Sequence, residues 1–126
     1  MKKTIFKIET EMFPFTVILS IASDNSELIE YLSKYICDED LDYFKEVEKT
    51  PGRSLMFSNG ITLLFLRDDI KLIKDLALLQ HEIFHCACFI LEKVGIEYCD
   101  SSSEAYAYFI ELLTNKIYKE IDIKFK

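Results

Sequence analysis

The sequence predicts an α+β domain with a small sheet packed against helices, in the order β, β, α, β-hairpin, α, α. Three features carry that expectation. Residues 53–67, "RSLMFSNGITLLFLR", hold two strand-like runs on either side of Asn59-Gly60, two residues that accept positive φ and so mark a tight hairpin. Residues 70–94 form a long apolar run at helical spacing, ended by Gly95 in a good C′ position. Residues 103–120, "SEAYAYFIELLTNKIYKE", begin at the last of three serines, Ser101 to Ser103, any of which can cap a helix.

Taken in order, residues 3–9 and 13–21 are short β-branched and aromatic runs that read as strands, with Pro14 suited to an edge or a strand start. Ser23, Asp24, Asn25 and Ser26 are candidate N-caps for a helix over about 26–36. On it Leu28, Ile29, Leu32, Tyr35 and Ile36 recur at helical spacing. The acidic stretch "DEDLDYFKEVEK" reads as a loop or a short irregular helix that ends at Pro51-Gly52. Asp68 or Asp69 is placed to cap the helix over 70–94, which is apolar on nearly every side and is therefore expected to be central and buried. "EYCDSSS" is a loop, and residues 1–126 read as a single domain without repeat or linker.

Ten Phe and seven Tyr in a chain that is 50% apolar supply one core. The net charge of −7, with a pI of about 4.8, argues against a nucleic-acid groove, and the run "CDEDLD" reads as a solvated face. Cys86 and Cys88 sit in the apolar run and point to different sides of it. Free thiols in a reducing cytoplasm are the expectation for all four cysteines. Lys7, Glu9 and Glu11 interrupt the N-terminal apolar residues, so no signal peptide is expected. No stretch approaches the roughly 20 apolar residues of a membrane span.

The chemistry is concentrated in "LQHEIFHCACFI", residues 79–90, which holds both histidines of the chain. "HEIFH" fits H-E-x-x-H. A helical residue advances roughly 100°, so His81 and His85 project from one face about a turn apart. Two imidazoles so placed can bind one Zn²⁺ at roughly 2.0–2.1 Å each. Glu82 projects beside that face, where it can take a proton from the attacking water rather than bind the metal. A third ligand must then be a carboxylate or a thiolate. Glu104, in the first turn of the last helix, is the favoured candidate if that helix folds back antiparallel, although a first-turn glutamate also simply complements the helix dipole. His81, His85 and Cys88, with Cys99 or Glu104, would instead close a structural site, but ligands spread over two turns of one straight helix reach a single ion with difficulty. The bland alternatives are a buried, hydrogen-bonded histidine pair and a core stripe of Tyr106, Phe109, Leu113 and Ile117. No Gly-rich phosphate loop occurs, and no Ser-His-Asp arrangement can form without a motif histidine.

"HEIFH", followed after Gly95 by "SEAYAY", resembles the gluzincin zinc metallopeptidases. It is also similar to small phage and prophage proteins with H-E-x-x-H, an apolar helix end and an E-x-[FY]-A-Y segment. The likeness covers about residues 70–118. It implies a minimal zincin-like domain: a mixed sheet, an active-site helix and a glutamate-bearing helix. It implies Zn²⁺ held by His81, His85 and Glu104, with Glu82 as the base. A peptide or protein substrate would pair with an edge strand, for which the hairpin 53–67 is the candidate. A phage-encoded chain of this kind would act in the host cytoplasm, without nucleic-acid or membrane partners. The sequence departs from the larger gluzincins in having no downstream histidine for the oxyanion and no Asp four positions after Glu104. Tyr98, Tyr106, Tyr108 or Arg67 would have to supply that donor. The competing expectation is a non-catalytic zincin-like module, for phage assembly or host interference, with a structural metal or none.

Overall fold

A computed structural model describes residues 3–12 and 14–122, the side chain of Val47 excepted. β1 (Ile5–Glu9) and β2 (Thr16–Ile21) pair antiparallel, with Ile5 opposite Ser20 and Glu9 opposite Thr16. β2 then pairs parallel with β4 (Thr62–Leu66), Val17 lying opposite Thr62. β3 (Gly52–Met56) runs antiparallel to β4 across the Asn59-Gly60 turn, where Gly60 takes φ +90°. The result is a mixed sheet of order β1-β2-β4-β3, with β1 and β3 at its edges. Helices α1 (Asn25–Ser33) and α2 (Asp38–Val47) make the crossover from β2 towards the hairpin. After β4 come α3 (Ile73–Lys93), a 3-10 turn at Asp100–Ser102 and α4 (Ser103–Glu120).

The sheet is covered on both faces. Side chains alternate across a strand, so Ile18, Leu63 and Phe65 meet Leu28, Leu32 and Phe44 of α1 and α2. Val17, Leu19, Leu64 and Leu66 meet Leu79, Ile83, Ile90 and Leu113 of α3 and α4. Burial on both faces is why "VILSI" and "TLLFL" read as nearly unbroken apolar runs rather than alternating ones. Each such side chain contributes roughly 1.5–3 kcal/mol on leaving water.

The structure corrects three expectations about elements. The acidic stretch is a regular ten-residue helix, α2. Asp38, Glu39 and Asp40 fill its first turn, where the helix dipole favours negative charge. Leu41 and Phe44, three apart, bury against Phe65 and its neighbours, the Phe44 and Phe65 rings meeting edge-on at 5.8 Å. The motif helix begins at Ile73 rather than 70, and neither Asp68 nor Asp69 caps it. The cap comes from inside the helix, because Asp75 Oδ2 accepts from the backbone N–H groups of Lys71 and Leu72, at 3.0 and 2.9 Å. Those bonds hold the Asp75 carboxyl below its ordinary range. Finally, α3 is not buried all round. It packs against the sheet on one side and α4 on another, and the remaining side leaves Ile73 86% exposed and Phe84 exposed.

The other boundaries agree with expectation within three residues, and α4 spans the expected 103–120. The expected strand 13–21 begins at Thr16, and Phe13 lies outside the described residues. No helix among the described residues is long and apolar enough to cross a membrane. The four cysteines are free, Cys86 buried, Cys88 partly so, Cys37 and Cys99 exposed.

Candidate metal centre

The helical spacing of His81 and His85 brings their rings together at the surface of α3. The two Nε2 atoms are 3.1 Å apart, and the ring centroids 4.7 Å at an interplanar angle of 77°. Nitrogens bonded tetrahedrally to one zinc at 2.0–2.1 Å stand about 3.3 Å apart, so the pair fits two corners of such a site. Without a cation the same approach suits a single N–H···N hydrogen bond. Phe89 stacks on His85 and Phe84 meets it edge-on, with centroids at 6.2 and 6.1 Å.

Glu82 lies beside the pair, not between its members. Its side chain is 6% exposed against 63% for His81, and its Oε2 is 4.0 Å from His81 Nε2. The other oxygen, Oε1, accepts from Ser54 Oγ at 2.8 Å. The Ser54 hydroxyl also faces the Glu82 carbonyl at 3.0 Å, and the Cys86 thiol donates to it at 3.6 Å. Burial pushes the Cys86 thiol up to about 12, so it stays protonated and remains a donor.

These groups open on a surface cavity of about 370 Å³ lined by Gly52, Arg53, Ser54, His81, Glu82, His85 and Phe89. One wall is the edge strand β3. The Arg67 N–H bonds to Pro51 O and the Phe57 N–H to Ile61 O, so in the antiparallel register residues 51, 53, 55 and 57 turn their polar groups towards β4. The N–H and C=O groups of Gly52, Ser54 and Met56 therefore face the free edge. A larger hollow of about 560 Å³, lined in part by Phe6, Ile21, Ile70 and Ile121, contains none of the motif residues.

The other residues singled out by the sequence stand apart from this cluster. Glu104 is exposed in the first turn of α4. Among the described residues no three His, Cys, Asp or Glu side chains form a group able to hold a metal ion. The register of the two helices accounts for this. Gln80 bonds to Thr114 at 3.1 Å and to Tyr118 at 3.3 Å, and in antiparallel helices these two bonds put Glu104 level with residues 90 to 94. That is about 7 to 13 Å along the axis beyond His85. Tyr108, one turn further along α4 than Glu104, is exposed. Tyr106 is buried and donates its hydroxyl to Ile96 O at 2.6 Å, which commits it to holding the loop after α3. Tyr98 packs edge-on against Tyr106. Arg67 pairs with Asp68 at 3.3 Å, outside the cavity. Cys88 packs against the core on the α4 side, and burial raises its thiol. Cys99 is exposed, with its thiol lowered to about 7 by the hydroxyls of Ser101 and Ser102.

Ser54, Phe89 and the backbone of Arg53 complete the cavity and escaped the sequence reading. One signal for Ser54 was available: counting by twos along β3 puts it on the face of Gly52 and Met56, a polar side chain where an apolar one would pack. Comparison with protein-family models, curated proteins and solved structures finds no match to this chain.

Proposed function

We propose that the chain is a zinc-dependent hydrolase, a small metallopeptidase of the zincin type. The observation that carries this reading is the pair of facing Nε2 atoms, 3.1 Å apart, beside a buried carboxyl whose second oxygen is turned towards them. His81 and His85 hold the metal. Glu104 would be the third ligand, and its exposed side chain would have to move towards the histidines. When bound, zinc would supply a Lewis acid and would lower the pKa of water towards 7. Glu82 takes the proton from the attacking water and returns it to the leaving amine. The outward N–H and C=O groups of Gly52, Ser54 and Met56 bind an extended peptide as an added strand. Phe89 gives the cavity an apolar wall. The Tyr106 hydroxyl is already engaged, so the oxyanion role falls to the exposed Tyr108, which would have to move towards the cavity. The four free thiols accord with a reducing, cytoplasmic setting.

The test is metal content per chain after purification without a histidine tag, followed by cleavage of a quenched peptide library. The expected result is about one zinc per chain, reduced in Glu104→Ala, with Glu82→Gln keeping its zinc and losing about 10²- to 10⁴-fold in rate. Failure to bind zinc after reconstitution would reject the proposal. Bound zinc with no cleavage by any library member would favour a non-catalytic module on the same fold.

A further inference from the structure

We infer that Ser54 is a positioning residue, whose hydroxyl sets the orientation of the Glu82 carboxyl towards the histidine pair. The catalytic part of this inference rests on the hydrolase reading; the orienting bond is a property of the protein without metal.

Ser54 lies on β3 and is buried, and three groups surround its hydroxyl: Glu82 Oε1 at 2.8 Å, Glu82 O at 3.0 Å and Cys86 Sγ at 3.6 Å. A hydroxyl has one proton to give and lone pairs to receive another. The Cys86 thiol fills the receiving role, which leaves the Ser54 proton for Glu82. Of the two oxygens of Glu82 within reach, the carboxyl oxygen is the nearer and the stronger acceptor.

No second side-chain donor to Glu82 is found among the described residues within hydrogen-bond distance; His81 Nε2 stands off at 4.0 Å. Ser54 thus fixes Oε1 and leaves Oε2 facing the histidines. Oε2 is then too far to compete as a ligand and close enough for a water molecule to bridge. The strand supplying this hydroxyl also carries the outward backbone groups of residue 54. Peptide alignment and base orientation would therefore depend on the same residue of the same strand. A serine kept only for solubility of the core would have no reason to meet the carboxyl, since the backbone carbonyl alone could satisfy it.

The experiment uses protein labelled with [¹³Cδ]glutamate, first without zinc. The Glu82 carboxyl resonance is identified by its loss in Glu82→Gln. Ser54→Ala should move that resonance towards the position of solvated glutamates, and Ser54→Thr, which keeps the hydroxyl, should leave it near its native place. In the zinc-loaded protein, Ser54→Ala should lower kcat by about 10- to 100-fold with KM and zinc content unchanged, and Ser54→Thr should recover most of it. An unmoved resonance in Ser54→Ala would overturn the inference, as would a threonine variant that behaves like alanine. A resonance that moves and is restored, in a protein that cleaves nothing, would keep the orienting role and reject the hydrolase reading. If Ser54→Ala does not fold, Ser54→Cys makes the same test under reducing conditions, which keep it from pairing with Cys86, because its thiol is a weaker donor.

Discussion

Glu82 occupies a place on the inner side of α3 where an apolar residue would normally pack. A carboxylate there loses most of its hydration and regains one hydroxyl. Glu82→Gln keeps the shape and the acceptor oxygen and removes the charge. The zinc-free variant should therefore be more stable than the native chain, by about 1 kcal/mol or more, in urea unfolding. A less stable variant would mean that the ionised group contributes to folding, and would weaken the case for a site held at the expense of stability. The cysteines divide in a similar way. Cys99 is exposed, with its thiol lowered to about 7, whereas Cys86 is buried and raised to about 12. Alkylation by iodoacetamide should strike Cys99 well before Cys86 and speed up as pH rises through 7, because the thiolate is the nucleophile. Peptide mapping after brief labelling checks this, and equal labelling of Cys86 would contradict the buried environment.

At the scale of elements, the β3–β4 hairpin is fixed by a few residues of its turn. Gly60 adopts φ +90°, and a Cβ there would meet the Phe15 ring at 3.3 Å. Asn59 bonds to Ile61 N and to Tyr35 O, while Ser58 bonds to Asp40 of α2. Gly60→Ala should cost more than about 1 kcal/mol in urea unfolding, since alanine resists that φ and the ring must give way. This turn was legible in the sequence because its signal is local and chemical. The H-E-x-x-H cluster was legible for the same reason, as helical spacing alone brings His81 to His85. Helix α2 was not, because its acids suggest a loop until Leu41 and Phe44 are seen to share a buried face. The start of α3 differs from expectation because Asp75, inside the helix, takes the capping role for which the sequence offers Asp68 and Asp69. The relation of Glu104 to the histidines depends on how two helices slide past each other, and no spacing along one chain fixes that.

For the whole molecule, the parallel pairing of β2 with β4 joins the N-terminal hairpin to the rest. Nothing in the sequence announces it, because Val17 and Thr62 are partners across 45 positions. Residues 52–93, by contrast, contain β3, β4 and α3 in succession, and with them Ser54, His81, Glu82 and His85. Local contacts form early in folding and distant ones late. Leu19→Ala, in the buried face of β2, should cost about 2–5 kcal/mol and appear mainly as faster unfolding. Gly60→Ala should appear mainly as slower folding, and stopped-flow chevrons would separate the two. A reversed pattern would place the β2–β4 seam in the folding nucleus.

The same seam has a consequence on the ribosome. Synthesis proceeds at about 5–20 residues per second, so β2 waits about 2 to 9 s after its own emergence before β4 exists to cover its open side. During that interval the β1–β2 hairpin offers a bare, almost wholly apolar edge to whatever is nearby. An edge left bare for seconds is a template for pairing with another chain until β4 covers it.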